Sequence, residues 1–126
     1  YLDGRTIFDT IFTSTDANCL KVELDTCWST VGGADTIGLL RQYAGRTPLV
    51  HIKDYKPVAP GEPVAHGEPV VFTEVGQGTM DWDSILPAAK SAGALWYIVE
   101  QDESEGDSME SVAKSAAFMQ ARNQKG

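Results

Sequence analysis

Three residues able to hold a divalent cation recur at equivalent places in the 126-residue chain: Asp25 ends LKVELD, His51 lies in PLVHIKD and Glu100 lies in LWYIVEQ. Each segment is short, rich in β-branched or aromatic residues and bounded by turn formers, as strands are. Side chains alternate along a strand, so the three segments can be phased. Leu20, Val22 and Leu24 share one face, and Lys21, Glu23 and Asp25 the other. Val50 and Ile52 oppose His51 and Lys53, while Trp96, Ile98 and Glu100 lie together. Asp25, His51 and Glu100 thus fall near the C-terminal ends of strands, where ligands and catalytic groups collect in parallel α/β folds. Two carboxylates and an imidazole form a donor set for Mn²⁺, Mg²⁺ or Co²⁺, with Zn²⁺ also compatible. Without a cation, adjacent carboxylates repel one another. The same residues admit a purely structural account, in which Asp25 caps a turn, His51 is an ordinary buried histidine and Glu100 pairs with Lys53.

Helical patterns lie between and around these strands. Residues 34–44 place Ile37, Leu40 and Tyr43 on one stripe, with Gly45 as the stop. Residues 82–92 place Trp82, Ile85, Leu86 and Ala89 at helical spacing behind Asp81 as N-cap, with Pro87 inside the pattern. A first helix is expected over 7–13, capped by Thr6, with Ile7/Phe8 and Ile11/Phe12 facing a core. A last helix is expected over 110–123, where Asp107 and Glu110 have capping-box spacing. This alternation predicts an α/β fold with a parallel sheet, because parallel neighbours need long crossovers, and it argues against a hairpin sheet. Residues 55–75 are the exception: they carry four of the six prolines and repeat GEPV at 61–64 and 67–70. They are expected to form an extended Pro-rich loop with a strand-like return at 70–75, either a neutral duplication or a substrate lid.

One domain is expected at this length. Ten Lys+Arg against 18 Asp+Glu leave a net charge of −8, which repels nucleic acid and anionic lipid in the absence of a basic patch. No apolar run approaches the roughly 20 residues that cross a bilayer. Neither nucleic acid nor membrane is therefore an expected partner. Cys19 and Cys27 form no CxxC pair, which suits a reducing, cytoplasmic setting. The opening Tyr1-Leu2-Asp3-Gly4 is neither a signal peptide nor an initiator, so a segment of a longer chain is expected.

Four motifs stand in order along the chain: D-x-x-W from Asp25 to Trp28 followed by Gly32-Gly33, V-H-x-K-D at 50–54, V-G-x-G-x-x-D-W at 75–82, and W-Y-I-V-E-Q-D at 96–102. With these, residues 4–120 resemble the C-terminal half of the sugar phosphate isomerase/epimerase family, the xylose isomerase-like TIM barrels. The resemblance implies a partial (β/α)8 barrel in which the three strands are the sixth to eighth and residues 7–13 the fifth helix, since the complete barrel has eight strands and about 250 residues. It implies that Asp25, His51 and Glu100 are metal ligands, that Glu100 also transfers protons, and that Lys53 and Asp54 border the substrate pocket. Trp28 takes a position where some relatives carry a substrate-contacting His. A fourth ligand, a Glu, would lie upstream of residue 1, leaving the isolated chain inactive. The implied chemistry is proton transfer through an enediolate on a small-molecule sugar or polyol, with a divalent cation as Lewis acid.

Two other functions compete with this reading. An endonuclease IV-like nuclease would need many His ligands and a basic face, whereas the chain has two His and a charge of −8. A non-catalytic truncated barrel would act as an interaction module and self-associate through open sheet edges. The remaining chemistry-bearing residues have plain readings. Cys27 is a small apolar filler, His66 is exposed in the Pro-rich loop, and Gly76-Gln77-Gly78 is a turn rather than a phosphate loop. Trp82 belongs to a helical core stripe, Trp28 is a candidate for stacking on a sugar ring, and the acidic stretch 102–107 is a solvated loop.

Overall fold

The computed structural model describes residues 4–59 and 70–123. Three parallel strands form a sheet in the order β1 (Glu23–Asp25), β2 (Leu49–Ile52), β5 (Trp96–Val99). Leu24, Val50 and Tyr97 stand abreast in it, as do Asp25, His51 and Ile98. The first row faces helices α3 (Thr36–Gln42) and α4 (Trp82–Ser91), whose Leu40, Ile85 and Ala89 close one core with Val22, Leu24, Val50 and Ile52. Burial of one face of each strand is what fixes the register, because a slip of one residue would exchange the two rows.

The strands are shorter than their sequence patterns. Leu20 and Lys21 stay outside β1, and Val22 donates its N–H to the Arg46 carbonyl at 2.8 Å. The Arg46 guanidinium ties that lead-in to α1 (Ile7–Thr13), reaching the carbonyls of Phe12, Thr15 and Leu20. In α1, Phe8 and Phe12 pack against Tyr43 with centroids 5.3 and 5.7 Å away, whereas Ile7 and Ile11 are exposed. A seven-residue helix lying on the edge of the core turns one half-buried side chain per turn toward it, so only half of the expected apolar pairs face inward.

A short helix α2 (Thr26–Val31) follows β1 directly, with the Asp25 carboxylate as its N-cap. Residues 55–75 are not simply a loop. Their ends pair as an antiparallel ribbon of β3 (Asp54–Pro57) and β4 (Val70–Thr73), matching Asp54 with Thr73 and Tyr55 with Phe72. The argument against a hairpin fails here because a strand turned back on itself needs no crossover. The GEPV repeat, apart from Val70, and His66 lie outside the described residues.

Helix α4 runs through Pro87, forgoing one main-chain hydrogen bond, and begins where Asp81 accepts the Ser84 N–H. Helix α5 (Ser108–Asn123) starts two residues earlier than expected, because Asp107 accepts the N–H groups of Met109 and Glu110. It docks through Ser115, whose hydroxyl accepts the Val75 N–H at 3.0 Å, and through Lys114 on Glu74 at 2.8 Å. No described helix is long and apolar enough to cross a membrane.

The second face of the three-stranded sheet has no covering layer among the described residues, leaving Trp96 67% exposed. The core therefore depends on the helical side. Leu40→Ala, at a fully buried position, is expected to lower unfolding free energy by about 2–5 kcal/mol in urea denaturation.

Candidate metal centre

The uncovered face carries the candidate metal-binding side chains. Asp25 and His51 are register partners at the carboxyl ends of β1 and β2. Glu100 follows β5, its N–H still bonded to the Ile52 carbonyl at 3.1 Å. Strand alternation then points all three side chains toward one spot. One ligand atom from each of Asp25, His51 and Glu100 lies within 4.8 Å of the others.

His51 is held from both sides. Its Nε2 is 2.8 Å from Glu23 Oε1, a hydrogen bond that places the ring proton on Nε2. Nδ1 faces Glu100 Oε2 at 2.5 Å and Asp25 Oδ2 at 3.6 Å. Both His51 Nδ1 and Glu100 Oε2 are buried atoms without a hydrogen-bond partner. Three electron-rich atoms in contact require positive charge between them. Burial works against a charged His51, but Glu23, Glu100 and Asp25 outweigh it and raise its pKa. A divalent cation meets the same requirement, and the donor set of one imidazole nitrogen and two carboxylate oxygens fits one.

The two accounts of Asp25 are compatible. Its Oδ1 accepts the Trp28 N–H at 2.8 Å and caps α2, while Oδ2 faces His51 and Lys53. The cap thus fixes the carboxylate whose other oxygen faces the site. Lys53, 2% exposed, spans the cluster's inner edge. Its Nζ lies 2.9 and 3.0 Å from the two oxygens of Asp102, 3.4 Å from Glu100 Oε2 and 3.7 Å from Asp25 Oδ2. The ammonium also sits over the rings of Trp28 and Phe72, at 5.6 and 5.1 Å from their centroids. Burial opposes the charge on Lys53, yet the surrounding carboxylates raise its pKa and keep it an ammonium.

Asp54 takes a different place from the one the motif suggested. Instead of bordering a pocket it is fully buried, and its carboxylate accepts five donors: the N–H groups of Tyr55, Gly76, Gly78 and Met80 and the indole N–H of Trp82. This explains the glycines of V-G-x-G-x-x-D-W. Gly76 has φ +86 with the Phe118 ring against it, and a side chain at Gly78 would collide with the Asp54 carboxylate. The segment is a turn folded around a buried anion.

Residue-level reading missed Glu23, Asp102 and Phe72. Glu23 shares Asp25's strand face and Asp102 lies two residues beyond Glu100, so continued alternation carried a signal for both. Phe72 is delivered by the ribbon and had none. A cleft of about 350 Å³ between that ribbon, the loop after β5 and α5 is lined by Phe72, Thr73, Gln101 and Ser104 among others, but by none of the three candidate ligands. Cys27 is buried, and burial, aided by the nearby Asp25, pushes its thiol up to about 12.

The chain's structure is similar to that of a sugar phosphate isomerase/epimerase from Parabacteroides distasonis, with a TM-score of 0.73 and 28% identity over 96% of this chain and 37% of that one. It is also similar in fold to a second sugar phosphate isomerase/epimerase from the same organism, with a TM-score of 0.68 and 22% identity over 91% of this chain and 36% of that one. No protein-family model matches the chain, and no curated protein matches it in sequence. The chain thus has an α/β fold, a parallel sheet with flanking helices, that is similar to part of a TIM-barrel isomerase, and it spans a little over a third of the length of either structure.

Asp54→Ala is expected to destabilise the fold by at least about 3 kcal/mol, because several buried N–H groups lose their acceptor at once. Denaturant titration checks this, and Asp54→Asn should fall between the variant and the native chain. In a thiol-labelling assay at pH 8, the exposed Cys19 should react and the buried Cys27 should not until denaturant is added; labelling of both in the folded protein would contradict the packing described.

Proposed function

We propose that the chain is the portion of a metal-dependent sugar or sugar phosphate isomerase/epimerase that supplies the sixth to eighth strands of its barrel. One observation carries the reading: His51 Nδ1 faces Asp25 Oδ2 and Glu100 Oε2, and one ligand atom from each of the three residues lies within 4.8 Å of the others. The likeness to the Parabacteroides isomerase/epimerase structure supports the substrate class, a small sugar or polyol derivative.

In this reading Asp25, His51 and Glu100 hold Mn²⁺, Mg²⁺ or Co²⁺, with Zn²⁺ also accommodated. When bound, the cation supplies Lewis-acid polarisation of adjacent carbonyl and hydroxyl oxygens. Glu23 keeps the His51 proton on Nε2 and so keeps Nδ1 available as a donor. Glu100 takes the proton from the carbon beside the carbonyl, giving an enediolate, and the site of its return distinguishes isomer from epimer. Trp28, half-buried at the rim, offers a ring face to the sugar, and Lys53 balances the carboxylates beneath it. Two free cysteines, one fully buried, support a cytoplasmic setting.

A non-catalytic interaction module is the second reading, favoured by Leu95 and Trp96, 73% and 67% exposed, at the start of edge strand β5. Self-association through that edge would accompany it. Nuclease chemistry is disfavoured by the charge of −8.

Elemental analysis and Mn²⁺ calorimetry separate the two readings. The chain is expected to bind one divalent ion. Asp25→Ala and His51→Ala should each lose more affinity than the roughly 10- to 100-fold typical of residues that only support a ligand. Stoichiometric metal retained in both variants would remove the ligand assignment.

A further inference from the structure

Lys53 competes for the atoms that a divalent cation would use. Its Nζ lies 3.4 Å from Glu100 Oε2 and 3.7 Å from Asp25 Oδ2, the two oxygens that face His51 Nδ1. An ammonium and a divalent ion drawing on the same oxygens repel each other, and at such distances little water screens them. Lys53 cannot relieve this by turning to solvent, since it is 2% exposed and walled by the rings of Trp28 and Phe72. Its charge has to be met by another carboxylate nearby.

Asp102 is that carboxylate. Both of its oxygens reach Nζ, at 2.9 and 3.0 Å, closer than either candidate ligand. Its side chain, 38% exposed, gives up less hydration than a fully buried anion would. Asp102 is on the loop two residues after Glu100, so the segment that delivers a ligand also delivers the group that occupies the competing ammonium.

We propose that Asp102 is a positioning residue for the cation site: it holds the Lys53 ammonium off Asp25 and Glu100, leaving their facing oxygens free to ligate. The inference rests on the reading of Asp25, His51 and Glu100 as ligands. With Asp102 neutralised, Lys53 turns its full charge on those two carboxylates and divalent binding weakens. With Lys53 also neutralised, Asp102 has nothing to hold, and its loss becomes nearly silent.

The test is a double-mutant cycle read by Mn²⁺ calorimetry on the full chain, using D102N, K53M and the combined variant, with circular dichroism to confirm folding. D102N is expected to lose about 10- to 100-fold in Mn²⁺ affinity. K53M should bind at or above the native level, and adding D102N to it should cost less than about 2-fold, near the limit of additivity between independent sites. K53Q carries the same comparison if methionine disturbs the aromatic wall. Native-like affinity in D102N, an equal loss in both backgrounds, or weakened binding in K53M would each overturn the inference while leaving the ligand assignment standing. Absence of Mn²⁺ binding by the native chain would overturn both.

Discussion

Repulsion among the carboxylates at the strand ends governs how this part of the molecule is built. Glu23, Asp25, Glu100 and Asp102 gather there around one imidazole and one ammonium. Three of the four anions have a partner: Glu23 takes His51 Nε2, Asp102 takes Lys53, and Asp25 spends one oxygen on the first turn of α2. What is left is Asp25 Oδ2, Glu100 Oε2 and His51 Nδ1 facing one another. The surplus of negative charge is concentrated on the facing oxygens of Asp25 and Glu100 rather than spread over four carboxylates. A single site with high local field is the physical result.

Beneath that surface, Asp54 does for the backbone what Lys53 does for the side chains. Five donors converge on its carboxylate, four of them from 76–82, so the end of the antiparallel ribbon, the turn and the start of α4 are tied to one buried anion. The ribbon in turn brings Phe72 over Lys53 and against Trp28, with 5.5 Å between the ring centroids. A buried network of this kind is costly when partly satisfied and rigid when complete. Rigidity here positions the aromatic wall beside the charged cluster.

The two faces of the sheet are treated unequally. Helices α3 and α4 cover the face bearing Val22, Leu24, Val50 and Ile52, and stability resides there. The other face carries Glu23, Asp25, His51 and Glu100 together with the exposed Trp96, and it lies open among the described residues. Polar groups held at strand ends and apolar groups left uncovered beside them are what a sheet face shows when it lines the interior of a larger layered or closed structure. The similarity to a little over a third of each isomerase/epimerase structure fits that asymmetry.

Alternation along LKVELD, PLVHIKD and LWYIVEQ was enough to put Asp25, His51 and Glu100 on one face at one end, because side-chain direction in a strand is a local property of period two. Caps at Thr6, Asp81 and Asp107 and the two helical stripes, one with Leu40 and the other with Ile85 and Ala89, were local as well, set by hydrogen bonds and spacing within a turn or two. Pairings distant in sequence were not legible. Asp102 on Lys53, Phe72 over the same ammonium, and Asp54 turned inward to five donors instead of outward to a pocket all depend on how the ribbon and the loop after β5 fold back. A charged side chain's partner is decided by which segments the packing brings within a few ångströms, and no periodicity along the chain encodes that distance.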